Sequence, residues 1–150
     1  LICFLIFNFP RAKIFLGDSG SYLFGAITAL NIIYSNNYNN EVSSFYFCSL
    51  LFYLFFEVFF SFFRKIYQKK SPFKPDDLHL HMLVFKWINK TKEFTKSNYI
   101  NSIIINLVYC TLVLPLIFFR FDALICKLWF SSLPVFYLSF YYYFYKKNKE

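Results

Sequence analysis

The sequence predicts an all-α fold, a polytopic bundle of transmembrane helices. Three observations carry that reading. The chain is 58% hydrophobic and 26% aromatic over 150 residues. Its apolar runs are longer than a core of this size could bury on every face. Polar, Lys-rich connections separate those runs. With only 3 Gly and 5 Pro, the chain is neither collagen-like nor a Gly/Pro-rich disordered segment, and it is too apolar for intrinsic disorder. About four membrane crossings are expected, the first incomplete.

Taken in order, Leu1 to Phe7 is apolar but too short to cross a bilayer, which takes about 20 residues. It has neither the basic start nor the small-residue cleavage site of a signal peptide. The expectation is that residues 1–150 form the C-terminal part of a single membrane-embedded domain whose first helix begins earlier. Asn8 to Ser21 is a polar connection containing Gly17 and Gly20. Tyr22 to Tyr34 is most of a helix expected to start near Ser19, and Ser35 to Glu41 is a short loop without Lys or Arg. Val42 to Phe63 is a strong span carrying one acid, Glu57. Arg64 to Asn98 is polar and basic. Tyr99 to Phe119 is a further span that Pro115 is expected to kink. Phe121 to Tyr145 is another, expected to be broken at Pro134, and Lys146 to Glu150 is a basic tail.

The formal net charge is +8, which by itself would suit nucleic acid or a membrane. The placement of the charges selects the membrane. Of the 16 Lys and Arg, 14 lie in residues 8–21, in 64–98 and in the tail. Those segments share one side if each span crosses once. Only Arg120 and the nearby Lys127 fall towards the other side. Positive residues collect on the cytoplasmic side, so loops 8–21 and 64–98 are expected there, and no nucleic-acid partner is implied.

Two segments carry chemistry. In Gly17-Asp18-Ser19-Gly20-Ser21, Asp18 or Ser19 can cap the helix that follows. A Gly-flanked helix start can equally hold phosphate, with the acid holding a cation. Ser71-Pro72-Phe73-Lys74-Pro75-Asp76-Asp77-Leu78-His79-Leu80-His81-Met82 contains the only two histidines. Asp76 or Asp77 can cap a short helix there, and the imidazoles can contact phosphate or lie as surface side chains. A zinc site lacks a third ligand nearby. Glu57, an acid inside a span, needs a partner or a function. Arg64, seven residues on and on the same helical face, is the expected partner. Cys3, Cys48, Cys110 and Cys126 sit in apolar runs without Cys-x-x-Cys spacing and read as small buried hydrophobes.

The two segments, in this order and about 50 residues apart, resemble the C-terminal half of the polyprenyl-phosphate N-acetylhexosamine-1-phosphate transferases (glycosyltransferase family 4). Asn8 to Ser21 resembles the family's Asn-Phe-Pro-Pro-Ala-Lys-x-Phe-x-Gly-Asp-x-Gly-Ser, with Arg11 in place of the second Pro. Ser71 to Leu83 resembles its Ser-Pro-Phe-x-Pro-Asp-Arg-x-His-Leu-His-His-Leu. The resemblance implies a polytopic helical enzyme of the bacterial inner membrane. Such an enzyme transfers a sugar 1-phosphate from a UDP-N-acetylhexosamine to undecaprenyl phosphate, releases UMP, and uses Mg²⁺ or Mn²⁺. Its setting would be O-antigen, lipopolysaccharide or other cell-wall polysaccharide synthesis. It assigns catalytic roles to Asp18, His79 and His81, with Asp18 also the metal ligand. It assigns substrate binding to Asn8, Phe15, Lys13 and Asp76, with Phe15 near the uracil.

This sequence departs from the family pattern at Met82, where a His is usual, and at Asp77, where an Arg is usual. The family's paired-Asp motif lies in its N-terminal half and does not occur here, so residues 1–150 alone are expected to be inactive. Two other readings remain open: a non-catalytic remnant of such an enzyme, and a membrane transporter or anchor whose Gly-rich turn only starts a helix.

Overall fold

The computed structural model describes residues 2–9, 13–90 and 94–149. Among these residues every regular element is helical. They are α1 (Ile2–Asn8), α2 (Gly17–Tyr38), α3 (Ser44–Tyr67), α4 (Leu80–Asn89), α5 (Phe94–Val113), a 3₁₀ turn (Leu114–Ile117) and α6 (Ala123–Lys147). Three stretches are long and apolar enough to cross a membrane: Ser44–Tyr67, Lys96–Ile117 and Ala123–Lys147. The chain is therefore an all-α, multi-pass membrane bundle.

Local chemistry sets the helix ends. The Ser43 hydroxyl accepts from the Phe45 N–H (3.3 Å) and starts α3. The Asp122 carboxylate accepts from the Ile125 N–H (3.0 Å) and starts α6. Each of these helices closes on basic residues, Arg64 and Lys65 in α3 and Lys146 and Lys147 in α6, where cations complement the helix dipole.

The prolines act differently from one another. At Pro115 the α-helix gives way to the 3₁₀ turn. Pro134, expected to break the last span, lies inside an uninterrupted α6. Membrane helices accommodate proline because local adjustments and neighbouring helices satisfy the freed backbone groups.

The bundle is built on α3, α4, α5 and α6. Its core contains Phe52, Leu83, Val84, Leu133, Tyr137, Tyr141 and Phe144. The rings interlock, with Phe60 against Tyr141 at 4.7 Å and Phe56 against Tyr137 at 5.0 Å between centroids. The buried residues of α3 form one inward stripe of Ser49, Phe52, Glu57, Ser61 and Lys65, the spacing a helical face requires. The opposite faces expose Leu54, Val58, Phe59 and Phe63, apolar surface suited to lipid.

α4 was not expected to enter this core, because it lies in the basic stretch 64–98. It buries Leu80, Leu83, Val84 and Ile88, and it packs against both α5 and α6.

α2 starts at Gly17 rather than near Ser19 and runs through the polar residues to Tyr38, four beyond Tyr34. It buries no side chain. Its far end is tied to α3 where the Ser44 hydroxyl donates to Asn36 Oδ1 (2.9 Å), so α2 and α3 run antiparallel.

Hydrogen bonds define the two ends of the bundle. At one end Lys90 Nζ donates to the Lys147 carbonyl (3.0 Å), and Asn148 Nδ2 donates to the Leu83 carbonyl (2.9 Å). The basic loop and the basic tail thus meet. At the other end the Ser43 N–H donates to the Arg120 carbonyl (2.8 Å). Because α2 returns from that second end, its start at Gly17 lies at the first, about 30 Å away given 1.5 Å rise per residue.

Candidate active site at the basic end of the bundle

The loop before α2 is organised by Asn8. Its Oδ1 accepts from the N–H groups of Lys13 and Ile14 (both 2.9 Å), and its Nδ2 donates to the Ile14 carbonyl (2.8 Å). The Asn8 side chain therefore clamps the loop. Gly17 begins α2 with φ of 69°, a left-handed conformation that favours glycine. Lys13, Phe15 and Asp18 are all exposed, and Phe15 is 100% exposed, so it serves no core.

Asp18 sits in the first turn of α2, beside free N–H groups and the positive end of the helix dipole. Neither Asp18 nor Ser19 caps the helix, since the cap position is Leu16, with no side-chain hydrogen bond. Arg11, the motif's departure, lies outside the described residues.

The second segment is pinned to α3 at three heights. Lys65 is buried, and its ammonium donates to the carbonyls of Pro72 (3.1 Å) and Lys74 (2.7 Å), folding the loop back over the helix end. Arg64 Nη2 meets both Asp76 oxygens, Oδ2 at 3.0 Å and Oδ1 at 3.2 Å. Asp76 Oδ1 also takes the Leu78 N–H at 3.4 Å.

Burial pushes the Asp76 carboxyl upward. The hydrogen bond and charge of Arg64, with Leu78 and Lys65, outweigh it and hold the group below the ordinary carboxylate value. Two N–H groups of Arg64, Nε and Nη1, are buried without a protein partner, as is the Tyr141 hydroxyl. The guanidinium carbon lies 6.0 Å from the Tyr141 ring centroid.

The third anchor is Glu57, about 10 Å deeper along α3 than Arg64. Its Oε1 accepts from the Leu80 N–H (3.0 Å) and faces His79 Nδ1 (3.0 Å). Its Oε2 accepts from the Tyr137 hydroxyl (2.6 Å). The expected Glu57–Arg64 pair is not formed: Arg64 turns to Asp76, and Glu57 turns to the returning loop. Neither Asp76 nor Asp77 caps α4, whose cap position is His79. Asp76 instead orders the turn before it, and Asp77 points to Lys86 at 3.5 Å on the surface.

His81 stacks on His79 with centroids 5.6 Å apart and planes 19° from parallel. Loss of water around its ring pushes the His81 imidazole below its ordinary value; Glu57 opposes that and His79 adds to it.

The structure thus gathers Asp76, His79 and His81 around Arg64 and Glu57. It sets Asn8 at the end of α1, Lys13 and Phe15 in the loop that follows, and Asp18 in the first turn of the loosely attached α2 at the same end of the bundle. Among the described residues no hydrogen bond or ion pair joins the two segments, and no three His, Cys, Asp or Glu side chains converge to hold a metal ion. Tyr137 and the role of Arg64 were not foreseen. Tyr137 is traceable to the helical spacing of Leu133, Tyr137, Tyr141 and Phe144, the buried stripe of α6.

Comparison with known proteins adds lineage to this geometry. Residues 1–36 match the model of glycosyl transferase family 4. The chain is 38% identical over 93 residues to an undecaprenyl-phosphate alpha-N-acetylglucosaminyl 1-phosphate transferase of Thermotoga maritima, covering 61% of this chain and 30% of that protein. It is 37% identical over 90 residues to a decaprenyl-phosphate N-acetylglucosaminephosphotransferase of Mycobacterium leprae, covering 52% of this chain and 23% of that protein. The match spans less than a third of either relative. No solved structure matches the chain. Over these stretches the chain is similar to polyprenyl-phosphate N-acetylglucosamine-1-phosphate transferases, and its first 36 residues match the sequence pattern of glycosyl transferase family 4.

Proposed function

We propose that the chain forms the C-terminal part of a membrane-embedded transferase domain. The enzyme transfers N-acetylhexosamine 1-phosphate from a UDP-sugar to undecaprenyl phosphate, in cell-envelope polysaccharide synthesis. An oxygen of the lipid phosphate attacks the sugar-bearing phosphorus. The bond from that phosphorus to the bridging oxygen breaks, and UMP leaves with the oxygen. The active face is the cytoplasmic side of the bacterial plasma membrane, the side on which the basic loops and tail gather. The observation that supports this reading is that both motif segments lie at that one end of the bundle, in a chain similar over 93 residues to a polyprenyl-phosphate sugar-1-phosphate transferase.

The chain's own residues suit the substrates. Asn8 holds the loop that presents Phe15, a fully exposed ring available to stack on a uracil. Lys13 offers an exposed cation to the diphosphate. Asp76 is held by Arg64 and orders the His79 turn, and Arg64 keeps buried donors uncommitted. His79 and His81 face phosphate as donors or proton carriers.

Asp18 is a single exposed carboxylate. Mg²⁺ characteristically takes one or two carboxylates and completes its shell with water and substrate phosphates, so the donor set fits Mg²⁺, or Mn²⁺, bound together with a nucleotide. Asp18 would hold that ion, whose contribution is to offset the diphosphate charge.

The test is Asp18→Asn in the enzyme as expressed in its own membranes, supplied with UDP-GlcNAc, Mg²⁺ and undecaprenyl phosphate. Turnover is expected to fall by about a hundredfold or more, with membrane insertion unchanged. Near-normal turnover would reduce Asp18 to a residue of the helix start.

A further inference from the structure

An acid in the middle of a membrane helix is costly unless its charge is met. Glu57 is 8% exposed, and it faces a backbone N–H and a histidine ring nitrogen from the 79–80 turn and a tyrosine hydroxyl from α6, two separate parts of the chain. An ionised carboxylate only accepts hydrogen bonds, so an ionised Glu57 at 3.0 Å takes its hydrogen bond from a protonated Nδ1 of His79. That fixes the ring. Nε2 then points the other way, 3.6 Å from Asp76 Oδ1, too far for a hydrogen bond. Asp76 is already committed to Arg64. The His79 side chain is 28% exposed, so the ring keeps an uncommitted nitrogen on its accessible side.

We propose that Glu57 is the positioning residue for His79. Buttressed by Tyr137 and the Leu80 N–H, it holds Nδ1 as a donor and leaves Nε2 as the nitrogen that takes up and carries a proton for the phosphates of the nucleotide sugar. The catalytic consequence rests on the transferase reading above; the placement of the ring does not. Tyr137 comes from α6, so the device also couples the loop to the last helix of the bundle.

The experiment is ¹⁵N NMR of histidine-labelled protein in nanodiscs, with His79 assigned by its loss in His79→Gln, alongside steady-state kinetics. In the wild type, Nδ1 is expected to be protonated and hydrogen-bonded, and addition of UDP-GlcNAc to move Nε2. In Glu57→Gln the Nδ1–H signal is expected to shift, and kcat to fall about tenfold or more with a smaller change in KM. Tyr137→Phe, a milder change that keeps the ring, is expected to do the same to a lesser degree. An unprotonated Nδ1 in the wild type overturns the proposal, and so does a kcat unchanged in Glu57→Gln. If the intact enzyme that contains this chain transfers no sugar phosphate at all, the transferase reading falls, and the wild-type Nδ1 signal alone decides the placement of the ring.

Discussion

The Arg64–Asp76 pair decides how the histidine turn is built. Asp76 is held ionised below the ordinary carboxylate range, so its folded state binds fewer protons than the unfolded chain. Its stabilisation of the turn is present above the usual carboxylate value of 3.8 and is lost as pH falls through the lower folded value. His81 follows the same sign. Its folded-state value is depressed below 6.5, so the ring is neutral at neutral pH, and its contribution is full above 6.5 and is lost as pH falls from there through the lower folded value. A proton NMR titration of the His81 ring in detergent is expected to give a midpoint below 6.5. A midpoint at or above that value would remove the desolvated stacking on His79. A neutral His81 beside an uncommitted Nε2 on His79 lets the two rings take different parts, one donating and one accepting.

At the scale of elements, α4 connects stability to function. It carries His81, follows His79 directly and buries Leu83 and Val84 at 2% and 1% exposure. Truncating Leu83 to Ala removes a buried side chain between α5 and α6, at a cost of about 3 kcal/mol. Thermal unfolding in detergent is expected to show a clearly lowered midpoint, and an unchanged midpoint would mean that α4 does not share the core. This element was only partly legible in the sequence. Its apolar positions Leu80, Leu83, Val84 and Ile88 have helical spacing, but the surrounding lysines made the stretch read as a solvent loop. The three long spans were plain, because about 20 apolar residues in a row admit few alternatives. The fate of Pro134 was not, since hydropathy does not say whether neighbouring helices will support a proline. The start of α2 was misplaced by a few residues: the helix begins at Gly17, with φ of 69°, and neither Asp18 nor Ser19 supplies the expected side-chain cap.

For the whole molecule, charge and topology agree. The loop around Lys90 meets the tail at Lys147, and Arg120 meets Ser43 at the opposite end, the arrangement that the lysine distribution implied. Residues such as Asp18, His79 and His81 were nameable from motif resemblance. The groups that hold the His79 turn were not, because Glu57, Arg64 and Tyr137 come to it only through folding, from 22, 15 and 58 positions away along the chain from His79. In the proposed reaction the sugar moves together with its phosphate to the lipid. That transfer is tested most directly by supplying membranes that contain the enzyme with UDP-GlcNAc labelled with ³²P at the sugar-bearing phosphate. The account predicts ³²P in the lipid fraction, UMP as the released nucleotide, and loss of both with Asp18→Asn. Release of UDP carrying the label, or a lipid fraction free of ³²P, would contradict it.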